Sequence, residues 1–318
     1  MKKQYLSFGL FSNLRGLEIG AERAGFHNIF STDIEQKSAD AFPLLSSNRD
    51  EVFLKSNVKD LSYPVILKAL ASKNQTLKVG EIDLLVGGPP CFYITLLNTN
   101  HRSVFHWMNM LMFDMIRLVD ELQPKVVVME QVPAVLSKGI APFYNLLKMY
   151  MDSLNYNWDV KVLNAANYGC YQSRKRAIFM MVRKDLKTLP SFPKPGEINL
   201  SKQSAYAVSG VEMFRDKSHI KKDQTKVKFR SGKAAPIGTM TSQALHIYRG
   251  GKWDIMGIEE RKKFAHMDFV DLSPVLPVTD YKDMLGNMVL PPFAEALAKH
   301  VLEEILKKSE IVANQEAA

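Results

Sequence analysis

Apolar positions along the first 183 residues switch between two periods. Short runs rich in β-branched and aromatic residues recur at Tyr5–Phe11, Asn28–Thr32, Ile82–Val86, Val126–Met129 and Trp158–Leu163, and these read as strands. Between them, a helix opens near Gly16 and is closed by Ala24 and Gly25. Val104, Trp107, Met108, Leu111, Met115, Leu118 and Val119 lie at helical spacing, so Val104–Leu122 reads as a long helix. Pro64–Ser72 and Phe143–Leu154 add two more. Strands alternating with helices predict an α/β fold around a mostly parallel sheet. Arg176–Val182 reads as a further strand, expected as an antiparallel edge.

The pattern breaks after Arg183. Pro190, Pro193, Pro195 and Gly196 interrupt it, and the stretch to Arg230 is polar and poorly periodic. Three regions are expected: a body over 1–184, a smaller domain over about 185–233, and a return to the body over 234–318. In the return, Ala294, Leu297, Ala298, Val301, Leu302 and Ile305 form one apolar helical face behind Pro291-Pro292. That face must be buried, most simply against the first region. The tail from Ser309 is expected to fray.

The chain has 318 residues, 46% of them hydrophobic, enough for one large domain and a smaller one. Apolar runs stay below the roughly 18 residues of a membrane span. The start, Met1-Lys2-Lys3-Gln4-Tyr5-Leu6, lacks a signal-peptide core. A cytoplasmic protein, with no membrane partner, is the expectation. Two cysteines, Cys91 and Cys170, make neither a disulfide framework nor a cysteine-rich metal site.

Charge is uneven. Lys184–Lys263 holds 17 basic and 8 acidic residues, which accounts for the whole net charge of +9. A basic segment beside a neutral body suggests a polyanionic partner, nucleic acid first.

Two positions stand out chemically. Cys91 follows the run Ile82–Gly88 at Pro89-Pro90, and Glu130 follows Val126–Met129. In an open α/β sheet, ligands bind beyond the carboxyl ends of parallel strands. A thiol and a carboxylate delivered there by separate strands make a candidate active site.

In motif order, nearly the whole chain resembles the DNA cytosine-5 methyltransferase family. Phe11-Ser12-Asn13-Leu14-Arg15-Gly16 stands at the family's Gly-rich cofactor loop, continued by Gly20–Phe26. Asp33 falls at the acidic residue on the cofactor ribose, and Asn57-Val58 where an Asp contacts the adenine. Gly88-Pro89-Pro90-Cys91 is similar to the nucleophile loop, and Glu130-Gln131-Val132 to Glu-Asn-Val. Asn164–Gly169 followed by Gln172-Ser173-Arg174-Lys175-Arg176 is similar to the Gln-x-Arg-x-Arg motif. Asp254–Phe269 resembles the helix after the recognition domain, and Gly286-Asn287-Met288-Val289 the closing motif.

The resemblance implies a Rossmann-like methyltransferase sheet with a small basic target-recognition domain. It implies S-adenosylmethionine as methyl donor, and duplex DNA with a flipped-out cytosine as substrate for a monomeric enzyme. Donor contacts are implied for Phe11, Ser12, Leu14, Gly16 and Asp33, and for Asn57, Val58, Pro89, Asn287 and Val289. Cys91 would add to C6 of the base, making C5 nucleophilic. Glu130 would hydrogen-bond N3, where charge builds. Arg174 would hold the base edge and help fix Glu130 or the cysteine loop, with Arg176 in the same catalytic set.

The chain departs from the family at Asn13, Arg15, Asn57, Phe92 and Gln131. Arg15 at a family glycine predicts a left-handed backbone, with its guanidinium either on a carboxylate of the donor or filling the donor's pocket. Two alternatives stand beside the DNA enzyme: a catalytically weak nucleic-acid-binding relative, and a tRNA cytosine-5 methyltransferase, for which RNA is the partner.

Overall fold

The computed structural model describes residues 3–90, 94, 105–196, 200–216, 230–233, 235–241 and 245–316. Among them, seven strands form one sheet: β1 (Tyr5–Leu10), β2 (Phe26–Asp33), β3 (Val52–Lys55), β4 (Leu84–Gly87), β5 (Val126–Gln131), β6 (Tyr156–Asn164) and, after the short β7 (Gln172–Ser173), β8 (Lys175–Arg183), in the order β3-β2-β1-β4-β5-β8-β6. β3 through β5 pair in parallel, and β8 runs antiparallel between β5 and β6. The expected edge strand is therefore internal, and β6 is the edge. The reason lies in burial: Ala177–Val182 are all buried, whereas in β6 only Tyr156 and Leu163 are.

Helices α1 (Gly16–Arg23), α2 (Gln36–Leu45), α3 (Tyr63–Ala71), α4 (Trp107–Leu122) and α5 (Ala141–Ser153) connect these strands. α2 and β3 have no counterpart in the sequence reading. α2 carries Pro43 near its end, and β3 spans only four residues, half of them partly exposed. Two apolar clusters cover the sheet. Phe8, Leu85, Met115, Val127 and Phe179 belong to one, and Leu84, Val86, Val128 and Ile178 to the other, as alternation along the strands requires.

Two short helices, α6 (Leu200–Gln203) and α7 (Ala205–Ser209), follow, and then a second sheet. It joins β9 (Met213–Asp216), β10 (Arg230–Ser231), β12 (Leu245–Arg249) and β13 (Lys252–Ile255), while β11 (Ile237–Gly238) pairs with β7 of the body. These strands continue to Ile255, past the expected boundary at residue 233. Phe214, Leu245 and Ile247 are buried in the same cluster as the body's C-terminal helices.

The return runs through α8 (Ile258–Ala265), α9 (Val278–Asn287), α10 (Pro291–His300), a π-helical stretch Val301–Leu306, and α11 (Lys307–Glu316). The expected fraying from Ser309 is replaced by helix. Tyr5 donates to Glu310 at 3.0 Å, Lys3 pairs with the same carboxylate, and Ser309 is buried. Among the described residues no helix is long and apolar enough to cross a membrane.

α10 lies against α1, and glycine permits it. A Cβ on Gly20 would sit 2.3 Å from the Ala294 Cβ and 2.5 Å from the Glu295 amide nitrogen. Alanine is the better helix former by about 1 kcal/mol, but overpacking a core costs roughly 1–3 kcal/mol. Gly20→Ala is therefore expected to lower the thermal midpoint; a midpoint that is unchanged or raised would show that the two helices have room to part.

Candidate active site

The order of strands reverses at β1 and β4, which leaves a crevice beyond their carboxyl ends. A cleft there is lined by Phe11, Ser12, Asn13 and Gly16 after β1, Leu17 and Glu18 of α1, Gly88 after β4, Glu130 of β5, and Asn287, Met288 and Val289. The free space among these described residues is about 30 Å³. A wider open depression beside Tyr156, Trp158 and Pro190 lies at the sheet's far edge and contains none of the motif residues.

The loop after β1 is strained. Phe11, Asn13 and Arg15 all have left-handed φ, at 57°, 48° and 57°. For a residue other than glycine this costs about 1–2 kcal/mol. Arg15 has the backbone predicted for it, but neither expected role. Its guanidinium is buried, pointing into the body, where it donates to the Leu45 carbonyl (2.9 Å), Glu22 (2.7 Å) and Glu51 (2.5 Å). Glu51 also accepts from Asn28 (2.6 Å), Ser31 (2.5 Å) and Ser46 (2.5 Å). This network holds the strained loop shut, and Arg15 does not line the cleft.

Of the expected donor contacts, Phe11, Ser12, Gly16, Asn287 and Val289 line the cleft. Leu14 and Val58 are core side chains. Asn57 caps a 3₁₀ turn by accepting from the Lys59 amide at 3.2 Å. The Asp33 carboxylate accepts from the Asn13 amide (2.8 Å) and the Glu35 amide (2.9 Å), so it braces the loop from behind. Burial raises its pKa against those bonds.

Glu130 is fixed across the sheet. Ile178 lies opposite it, which makes Arg176 its diagonal neighbour, and the Arg176 Nε to Glu130 Oε1 distance is 2.5 Å. Sequence reasoning gave Arg174 a part in fixing Glu130; Arg176 holds that place. Arg174 is buried and donates to the Met240 carbonyl (3.1 Å) and the Gly286 carbonyl (2.9 Å). Gln172 donates to the Phe264 carbonyl (2.8 Å) and accepts from the Met240 amide (3.1 Å). These two motif residues tie the smaller sheet's return and the closing helices to the body.

Gln131, a departure from the family pattern, donates to the Pro89 carbonyl at 2.6 Å. Its longer side chain thereby spans from β5 to the Pro-Pro loop after β4. Pro89 contributes that carbonyl and is not part of the cleft lining. Cys91 and Phe92 lie outside the described residues, as do Lys221, Lys222, Lys226 and Lys228 of the basic segment.

Glu18 was missed. It is the lone charge in the otherwise apolar or small run Leu17–Ala21, a signal that the sequence carries in plain view. It is buried in the cleft wall, and burial pushes its carboxyl up to about 7 against the pull of Arg15, Ser12 and its own backbone amide. The donor's polar groups fit this wall: Glu18 Oε1 has no hydrogen-bond partner, and Asn287 and Ser12 stand beside it.

A parallel sheet with an antiparallel final pair and a cleft at its reversal point defines a methyltransferase-type α/β fold. A solved candidate DNA modification methyltransferase from an E. coli prophage matches at a TM-score of 0.68 and 19% identity, covering 96% of this chain and 100% of that one. The chain belongs to the C-5 cytosine-specific DNA methylase family, whose model matches residues 6–263. It is 30% identical over 187 residues to the type II methyltransferase M1.HphI of Haemophilus parahaemolyticus, covering 58% of this chain and 47% of the relative. It is 23% identical over 341 residues to the type II methyltransferase M.NgoMIV of Neisseria gonorrhoeae, covering 96% of this chain and all of that one. The chain spans about half the length of the first curated relatives it matches.

A folded carboxyl with a raised pKa favours folding below the ordinary carboxylate value, and that contribution disappears as pH rises through the folded value. For Glu18 the window is from the ordinary 4.5 up to about 7. Without ligand, Glu18→Gln should match wild type in unfolding free energy near pH 4 and exceed it near pH 8, by up to ~3 kcal/mol. A pH-independent difference would remove the buried acid from the ledger of instability.

Proposed function

We propose that this protein transfers a methyl group from S-adenosylmethionine to C5 of cytosine in DNA, acting as a monomer on a flipped-out base. The observation that carries the reading is Glu130 on the cleft wall, held there by Arg176, with the neighbouring Gln131 bonded to the Pro89 carbonyl two residues before Cys91. The type II relatives support the modification half of a restriction–modification system. The net charge of +9, all of it within Lys184–Lys263, supports a phosphate-bearing substrate.

The thiolate of Cys91 adds to C6, and the electron pair moves toward N3. Glu130 hydrogen-bonds that edge of the base as charge grows there, and Arg176 holds its carboxyl group in place. Held by Phe11, Ser12, Asn287 and Val289, S-adenosylmethionine would supply an electrophilic methyl group to C5, its S–CH3 bond breaking to leave S-adenosylhomocysteine. Loss of the C5 proton to a base or water then expels Cys91. The target atom is buried in a duplex, so the cytosine has to leave the stack.

The other cysteine supports the assignment by its chemistry. Cys170 is buried, and burial raises its thiol to about 12, which leaves it inert as a nucleophile. A duplex with 5-fluorocytosine at the target should trap a covalent adduct on wild type and on Cys170→Ala, and none on Cys91→Ala. An adduct through Cys170 would overturn the mechanism. Running tRNA beside duplex DNA as methyl acceptor separates the RNA alternative.

Glu130→Gln should lose turnover and keep DNA affinity, because its bond to N3 strengthens only as charge develops. A loss of about 3–4 kcal/mol in kcat is expected by analogy with oxyanion donors. Single-turnover rates with tritiated donor measure it, and an unchanged rate would remove Glu130 from the chemistry.

A further inference from the structure

We infer that Glu18 is the residue that receives the α-ammonium group at the amino-acid end of the methyl donor. This rests on the donor assignment above and adds to it a contact that no sequence motif singles out.

Four observations converge. The Glu18 side chain is buried, with 1% of the residue exposed, yet it lines the cleft. Its Oε1 has no hydrogen-bond partner. β1 makes room for it: a Cβ on Gly9 would lie 2.0 Å from that same oxygen. The nearest guanidinium in sequence, Arg15, gives its hydrogen bonds to Leu45, Glu22 and Glu51 and acts on Glu18 through its charge alone. A buried carboxylate with an empty acceptor site is matched best by a cation that carries N–H donors. The sulfonium has charge but no N–H. The ribose has donors but no charge. The α-ammonium has both.

The test is calorimetric and needs no turnover. S-adenosylhomocysteine is compared with its deamino analogue, in which hydrogen replaces the ammonium, on wild type and Glu18→Gln at pH 8. Wild type should bind the deamino analogue at least about tenfold more weakly, and Glu18→Gln should bind S-adenosylhomocysteine about tenfold more weakly with little further loss on deamination. Binding should also favour the ionised carboxylate, so wild-type affinity should rise from pH 6 to pH 8 with proton release. Arg15, Glu22, Glu51 and Glu130 are the other charged groups around this wall, and they are common to both proteins. The difference between wild type and variant therefore isolates Glu18.

Equal binding of the two ligands by wild type would overturn the inference, and this arm requires no variant to fold. So would a Glu18→Gln protein that discriminates as wild type does, or one that loses affinity equally for 5′-methylthioadenosine, which would point to the ribose. If wild type binds S-adenosylhomocysteine well and fails only on discrimination, the donor assignment stands and Glu18 alone is removed. If it binds neither ligand, both fall together.

Discussion

The structure depends on the close contact between α1 and the chain's far end. Gly16 and Gly20 lie on one side of α1, and a Cβ on Gly16 would stand 1.9 Å from the Val289 carbonyl oxygen. That approach brings residues near the start of the sequence against residues near its end. It leaves the strands of the smaller sheet as an excursion between β8 and α8. It also creates the cleft, because the loop after β1 is one wall and Asn287–Val289 another. Two methylenes' worth of missing side chain thus determine both the topology and the site.

Behind that contact, polar groups are placed to hold the walls rather than to face a ligand. Asp33 braces the Asn13 amide, and Arg15 with Glu51 anchors the same loop from within the body. Removing one partner from such a pair leaves an uncompensated buried charge, which costs about 3–5 kcal/mol. Arg174 and Gln172 do the corresponding work for the return segment, through backbone carbonyls of Met240, Gly286 and Phe264. Motif residues that read as chemistry in sequence are here divided between scaffold and site. Glu18 is buried beside them with its Oε1 unbonded, and because burial raises its pKa, its ionised form weakens the fold.

Six strands of the main sheet, the long helix α4 and the positions of Glu130 and Pro89 were legible in the sequence, because each rests on local pattern. A run such as Val126–Met129 is short, β-branched and apolar on both faces, as a strand buried on both sides requires. The left-handed backbone at Arg15 followed from the family resemblance, which sets it at a glycine position. α2 and β3 were not legible, since Pro43 and the four-residue length of β3 leave no period to detect.

What the tertiary structure alone decided are matters of pairing between distant residues. β8 became internal because its neighbours were chosen by burial across the sheet, not by its own period. α11 stayed helical past Ser309 because Lys3 and Tyr5, at the other end of the sequence, hold Glu310. Arg176 rather than Arg174 reached Glu130 because the antiparallel register of β5 and β8 makes it the diagonal neighbour. The sequence by itself determined the elements with a long or strongly apolar pattern and the residue types set at their ends. Which guanidinium meets which carboxylate was left to packing, because a side chain's partner is set by three-dimensional distance and by the cost of leaving a buried charge alone.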